Sequence, residues 1–361
     1  IDVRAIGTSL EPDGYRKSEN GLDWSLKADY WNKKTINGIS KHQAQQYIQV
    51  SYFLSSNEKV LMIKQICFNG LRQLSVNVVN EEQVLQPNEI RVEGICSIMS
   101  TGTENIVYNR LFESGSHWDN WVKYPFYPGY ALIGKIIELG SEVKNLSLGQ
   151  RVALRKGHAT SVVVSADSAI PLPENIDAEK AAWFALSKIT YVGATVADYK
   201  MGDQVLIVGG GPIGQLSLRW ALACGTKKVV MIDPLQERLQ FATQGGAHAV
   251  VSTPLAEAKE EILKAFGGVL PDIVIDSTGA AAVLPLCLPL CKNQGKVIIL
   301  GDTGTPTLQH LTSDVMVRGV KILGAHDGYI QDNAGPSQLF WQMILDKRIN
   351  MDGMNTHHYD I

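Results

Sequence analysis

The stretch that most constrains this chain is residues 205–234, VLIVGGGPIGQLSLRWALACGTKKVVMIDP. Residues 205–208 are all apolar and read as a short buried strand. They run into Gly209, Gly211 and Gly214 in G-x-G-x-x-G spacing, and an apolar-periodic helix follows. The first glycine permits a tight turn, the second lets a pyrophosphate approach the backbone, and the third lets helix and strand pack closely. N–H groups at the helix start then face the phosphates. A second apolar run, residues 228–232, ends in Asp233. That places the acid at about the 20-residue distance expected for a carboxylate that accepts ribose hydroxyls. The pattern predicts a dinucleotide site formed by Gly209, Gly211, Pro212, Ile213, Gly214 and Asp233. Because a carboxylate repels a 2′-phosphate, NAD is expected over NADP. Arg238 is placed to cover the adenine or ribose, or else is an exposed helix cation, and it weakens that preference.

Further short apolar runs, IVIDST, GKVIILG and VKILGA, alternate with helical text up to residue 325. Strands of this kind imply a parallel sheet covered on both faces, with ligands at the strand C-termini. Upstream, residues 62–173 read differently. Short alternating runs (QICF, LSVNVV, IRVEGICSI, LIGKIIELG, QRVALR, TSVVVSA) separated by turn residues favour a compact β-barrel. Residues 1–61 are polar, with a short helical pattern near 42–53, no motif and no assigned role.

A length of 361 residues allows about two domains. The net charge of −3 gives no reason to expect nucleic acid or an acidic membrane as partner. No apolar stretch reaches ~18 residues and no basic-then-apolar leader opens the chain, so neither a membrane span nor a signal peptide is expected. The five cysteines are scattered through apolar text, which suggests reduced thiols and a cytoplasmic protein. Cys287 and Cys291, one helical turn apart, read as small buried hydrophobes rather than a redox pair or half a metal site.

PGYALIGKIIELGSEVKNLSLGQRV, VLIVGGGPIG and DIVIDSTGAAAVLPLCLPLCKNQGKVIILG, in that order, resemble the medium-chain dehydrogenase/reductase superfamily over residues 62–361. The resemblance implies an α/β fold: a GroES-like β-barrel catalytic domain over residues 62–185 and a Rossmann doubly wound parallel-sheet cofactor domain over residues 186–325. Residues 326–361 would begin the return to the catalytic domain, with some further tens of residues expected beyond them. It also implies that Thr278 and Gly301, with Asp302, Ala325 and His326, approach the nicotinamide.

The departures from that family point to the site. Where zinc-dependent members carry a cysteine and a histidine ligand, this chain has Thr101 in MSTGTE and Tyr130 in PGYAL. The third ligand position falls in the cysteine-free residues 183–188, and residues 151–154 run through RKGHA straight into SVVV without a cysteine-rich lobe. Zinc wants thiolate, imidazole or carboxylate, so no metal is expected. MSTGTE with PGY is similar to the zinc-lacking subgroup that includes bacteriochlorophyllide hydroxyethyl dehydrogenases, which suggests an alcohol/ketone couple. Catalysis is then expected from Thr103, Glu104 and Tyr130, through hydrogen-bond donors to the carbonyl oxygen and a proton for the alkoxide. A packed Tyr130 and a Glu104 that braces the cofactor loop are the alternatives.

Residues 113–130, ESGSHWDNWVKYPFYPGY, gather aromatic side chains beside this site. Trp118 and Trp121 could wall a pocket for a ring-shaped substrate, or serve as core or a subunit interface. His117 and His158 are candidate general acids, each also readable as structural. His357 and His358, adjacent in strand-like text, point to opposite faces and are discounted as a metal pair.

The expectation is a zinc-independent NAD(H) oxidoreductase acting on a small alcohol or carbonyl substrate, with a homodimer left open. Two alternatives stand beside it. One is an NAD(P)H-dependent enoyl or quinone-type reductase. The other is a non-catalytic NAD(H)-binding scaffold or redox sensor.

Overall fold

The computed structural model describes residues 2–5, 61–81 and 84–361. The short helical pattern near residues 42–53 therefore lies outside the described residues.

Residues 2–171 and 357–360 supply two antiparallel-rich sheets. The strands are β1 (Asp2–Ala5), β2 (Leu61–Gly70), β3 (Gln73–Glu81), β4 (Glu89–Met99), β5 (Leu132–Leu139), β6 (Arg151–Leu154), β7 (Ser161–Ser165) and β8 (Ile170–Pro171). The larger sheet runs β15-β1-β4-β5-β6-β8, where β15 is His357–Asp360, and β7 pairs with β4. β2 and β3 form a hairpin of their own, bridged at Gln65–Ala159 and Phe68–Phe126. β1 lies parallel to β4 and antiparallel to β15, so a short piece of the N-terminal segment, which carries no sequence motif, is built into this sheet. One face of the sheet closes over Ile90, Val92, Leu132, Ile136, Val152 and Leu154, all fully buried.

The second sheet is parallel throughout: β9 (Gln204–Val208), β10 (Lys228–Ile232), β11 (Ala249–Val251), β12 (Ile273–Asp276), β13 (Lys296–Ile299) and β14 (Lys321–Gly324). Its order, β11-β10-β9-β12-β13-β14, reverses between β9 and β12. That switch point opens a crevice beyond the strand ends, the usual ligand position in such sheets. The continuous apolar runs have a direct cause: Val205 and Ile207 pack with Leu218 and Leu239 on one face, while Leu206 and Val208 pack with Ile262 and Leu284 on the other. A strand buried on both faces has no polar side to alternate with.

The two sheets share a core. Ile98, Ile133 and Ala153 belong to one buried cluster with Trp183, Phe184, Trp220, Phe340 and Trp341. The helices Phe184–Ala197, Pro212–Ala223 and Ala334–Leu345 supply most of its aromatic mass. Each indole N–H in it finds a partner: Trp183 on Asn355, Trp220 on Ser187, Trp341 on the Ala181 carbonyl. This satisfies the polar edge of a large apolar ring. Among the described residues no helix is long and apolar enough to cross a membrane. All five cysteines are free thiols, and only Cys224 is exposed.

Candidate active site

At the cofactor end, Gly209 adopts φ +97°, a left-handed conformation that favours glycine. Gly214 is required by packing, since a Cβ there would stand 1.8 Å from the Gly209 carbonyl oxygen. Gly211 differs from both. It caps the helix Pro212–Ala223 with ordinary extended backbone, and a Cβ added to it would meet nothing within 4 Å. The space beside Gly211 is therefore open, as a pyrophosphate over a helix N-terminus requires. Pro212 takes the first helical turn, where its missing N–H costs nothing. Ile213 packs inward between two core clusters.

Asp233 is buried at 3% exposure and already engaged. Its Oδ2 accepts the Gly210 N–H at 2.7 Å and its Oδ1 the Leu235 N–H at 2.8 Å. Arg238 Nη1 lies 3.2 Å from Oδ2. The acid thus pins the glycine loop to the end of β10, with a guanidinium beside it. On the other side of the switch point, Ser277 donates to the carbonyls of Val208 and Gly209. Thr278 donates to Asp276 through both its N–H and its hydroxyl. Burial raises the Asp276 carboxyl above its usual range, against these two hydrogen bonds. Gly301 lets the loop after β13 lie against residues 277–279, where a Cβ would come within 2.3 Å of the Gly279 nitrogen.

At the other end, the helix Thr101–Asn109 starts directly after β4. Its first turn carries Thr103 and Glu104. Glu104 Oε1 reaches back to accept the Ser100 N–H at 2.7 Å, satisfying a backbone donor at the helix start. Its Oε2 lies 3.1 Å from His158 Nε2, and His158 Nδ1 lies 2.7 Å from Ser97 Oγ. Ser97, Glu104 and His158 are all buried. A serine, a histidine and a carboxylate in line resemble a hydrolytic triad, but Ser97 is sealed at 0% exposure and no substrate reaches it. The three act as a satisfied buried network that fixes the helix start.

Tyr130 precedes β5 and donates its hydroxyl to Ser100 Oγ at 2.6 Å. Burial raises its pKa. Hydrogen bonding with Ser100 and Thr103 and the nearby Arg155 pull the other way, and Glu104 adds to the rise. Arg155 stacks its guanidinium 5.0 Å from the ring centroid. Thr103, Glu104, Tyr130 and His158 therefore converge, joined by Ser97, Ser100 and Arg155, none of which stands out in the sequence.

His117, Trp118 and Trp121 lie elsewhere, on the short helix His117–Trp121. Trp118 is core, packed with Phe68, Val107 and Tyr108, while Trp121 is 53% exposed. His117 Nε2 meets Asp302 Oδ2 at 2.7 Å, and Glu113 accepts from Thr307. This segment therefore bridges the β-rich part to the loop that follows β13.

Known proteins fit this architecture. Residues 88–174 match the alcohol dehydrogenase GroES-like domain and residues 212–341 the zinc-binding dehydrogenase family. The chain is 29% identical to sorbitol dehydrogenase of Arabidopsis thaliana over 76% of its own length and 82% of the relative's. It is 24% identical to L-threonine 3-dehydrogenase of Shewanella loihica, over 76% and 84%. Among solved structures, a protein described as a zinc-binding dehydrogenase of Sinorhizobium meliloti, bound to NADP, superposes with a TM-score of 0.66 at 22% identity. That match covers 81% of this chain and 91% of the other.

These matches correct two expectations. NAD over NADP does not stand: a solved neighbour of this fold is bound to NADP, and here the Arg238 guanidinium lies 3.2 Å from Asp233 Oδ2. Zinc independence does not stand either, because the family matched over residues 212–341 is a zinc-binding one. The side chains at hand nonetheless do not form a zinc ligand set. Thr101 and Tyr130, where the resemblance would put two ligands, carry hydroxyls, and Cys96 Sγ is turned to the Ala178 carbonyl. Among the described residues no group of three or more His, Cys, Asp or Glu could hold a metal ion. In their order and extent, the two matched domains and the reversed parallel sheet place this chain in the zinc-type alcohol dehydrogenase-like medium-chain dehydrogenase/reductase superfamily of NAD(P)-dependent oxidoreductases.

Proposed function

We propose that this chain moves a hydride between NAD(P) and the carbinol or carbonyl carbon of a small alcohol or ketone, with Tyr130 handling the proton. The observation that carries the reading is the Tyr130 hydroxyl, 2.6 Å from Ser100 Oγ and within reach of Thr103. When bound, the nicotinamide supplies or accepts the hydride. The open space at Gly211 receives the pyrophosphate, while Thr278 and Gly301 border the nicotinamide half. Burial favours the protonated phenol, and its O–H would turn from Ser100 Oγ to donate to an alkoxide as it forms. The phenolate left behind is stabilised by Ser100, Thr103 and the Arg155 guanidinium. Glu104, held by His158, positions the helix start that carries Thr103 and does not touch the reacting atoms. On this reading MSTGTE and PGY are like the motifs of hydroxyethyl dehydrogenases, and the chain divides into residues 62–185, 186–325 and 326–361.

The test is turnover of the full-length chain on alcohol/ketone pairs, followed by NAD(P)H absorbance. Tyr130→Phe and Thr103→Ala should each lower turnover by about a hundredfold and leave NADH affinity in place. Unchanged turnover in both variants removes their assigned roles.

A further inference from the structure

Beside Tyr130, two cations share one carboxylate. Arg155 Nη2 lies 2.5 Å from Asp327 Oδ2, and Lys188 Nζ lies 3.3 Å from Asp327 Oδ1. Arg155 comes from the loop after β6, Lys188 from the helix Phe184–Ala197, and Asp327 from the 3₁₀ turn Asp327–Tyr329 that follows β14. The cluster thus joins the phenol of Tyr130 to the strand ends of the parallel sheet. Its remaining contacts are neutral: Lys188 also donates to Asn333 Oδ1 at 2.8 Å, and Arg155 Nη1 reaches the Ala185 carbonyl at 3.5 Å.

The charge balance is uneven. Lys188 has 5% of its side chain exposed and Arg155 has 29%, so both are largely withdrawn from water. A buried cation needs a matched anion, and the one carboxylate in ion-pair contact with these two cations does not match both, its Oδ1 making no hydrogen bond. Donor capacity is unspent as well. Lys188 has three N–H groups and one hydrogen-bond partner, Asn333 Oδ1, and the Arg155 fork suits a carboxylate or phosphate held by two parallel bonds. A purely structural strap between the two parts of the chain would need only one of these cations.

We propose that Arg155 and Lys188 form a subsite for an anionic group, a carboxylate or a phosphate, carried by the alcohol or carbonyl substrate. This subsite rests on the hydride-transfer reading above and narrows its substrate class. The anion would share the two cations with Asp327 and hold the reacting carbon toward Tyr130, whose ring Arg155 already covers.

Calorimetric titration of the full-length chain with NADPH present tests it, using matched neutral and anionic probes. The pairs are 2-butanol against 3-hydroxybutanoate, and glycerol against glycerol 3-phosphate. At least one anionic member should bind about tenfold tighter than its neutral partner, and the pair that does so separates carboxylate from phosphate. Lys188→Met and Arg155→Met should each erase that preference, and Lys188→Arg should retain it. Equal affinity within both pairs, no binding by either anion, or a preference that survives both methionine variants overturns the subsite. Turnover of the same probes with the oxidised cofactor, NADP+ or NAD+, as hydride acceptor separates the two readings. Turnover on a neutral member without any anion preference sinks the subsite alone. An anion preference without turnover on any member keeps the subsite and sinks hydride transfer.

Discussion

Glu104 Oε2 and His158 Nε2 meet at 3.1 Å in a fully enclosed position, with each residue's other polar atom also engaged. Removing one partner of a buried charged hydrogen bond leaves the other unsatisfied, at a cost of about 3 kcal/mol. Glu104→Ala is therefore expected to destabilise the chain by about that amount, since it strands both His158 and the Ser100 N–H. Glu104→Gln keeps an oxygen for Ser100 and an amide for the imidazole, and should cost about 1 kcal/mol. Urea denaturation of the two variants checks the difference, and equal losses would show that an amide does not replace the carboxylate at His158 and Ser100.

The glycines of the cofactor loop predict opposite failures. Gly214→Ala drives a Cβ into the Gly209 carbonyl at 1.8 Å, so the turn cannot close and the variant should lose stability by several kcal/mol, about 3 or more. Gly211→Ala meets nothing within 4 Å and has ordinary backbone, so its thermal stability should stay within about 0.5 kcal/mol of the parent. Its methyl group would occupy the space reserved for pyrophosphate, and NADPH affinity should fall by about tenfold. If Gly211→Ala binds NADPH normally, the phosphates do not pass beside Gly211.

Why the parallel sheet was legible and much of the site was not follows from how each is specified. The apolar runs at 205–208 and 228–232 are local, and strands buried on both faces announce themselves in any reading frame. The Ser97–His158–Glu104 network is not local: its members come from β4, the helix after it and the loop before β7, and only the pairing of β4 with β7 brings them together. Arg155, Lys188 and Asp327 are dispersed in the same way, and in the sequence each is an ordinary charge. Trp118 and Trp121 show the limit at short range. Three residues apart on one helix, one fills the cluster around Phe68 and Val107 and the other faces solvent, a difference set by what packs against the helix. Asp233 was visible, but its guanidinium partner and the backbone N–H groups it accepts depend on how the turn after β10 folds back.

Asp276 gives a pH-dependent prediction. Burial raises its pKa in the folded chain above the ordinary carboxylate value, despite the hydrogen bonds from Thr278. The folded state therefore holds this proton more firmly than the unfolded state. As pH rises through the window between the ordinary value and the raised one, the unfolded chain releases its proton first and stability falls. Asp276→Asn removes the titration and keeps an oxygen to accept from Thr278. The variant should be more stable than the parent above that window, and the gap should close on acidification. Thermal denaturation from about pH 4 to about pH 8 measures it, and a gap that does not vary with pH would rule out Asp276 as its source.

Arg238 should set how the chain treats a 2′-phosphate. The Asp233 carboxylate is buried at the end of β10 and accepts two backbone N–H groups. With Arg238 Nη1 3.2 Å from Oδ2, the carboxylate's field at the adenosine ribose is offset by a positive charge at close range. Two unit charges at ~3 Å interact strongly where water is partly excluded, so removing one exposes nearly the whole effect of the other. Arg238→Ala should weaken NADPH binding by about tenfold more than NADH binding, because only NADPH brings a phosphate toward the unbalanced carboxylate. Asp233→Asn should shift the ratio the opposite way, while its retained oxygen still accepts from Gly210. Fluorescence titration of both cofactors against the two variants reads the ratio directly. If the ratio is the same in the parent and in Arg238→Ala, the guanidinium does not govern cofactor choice and its contact with Asp233 serves only to close the loop.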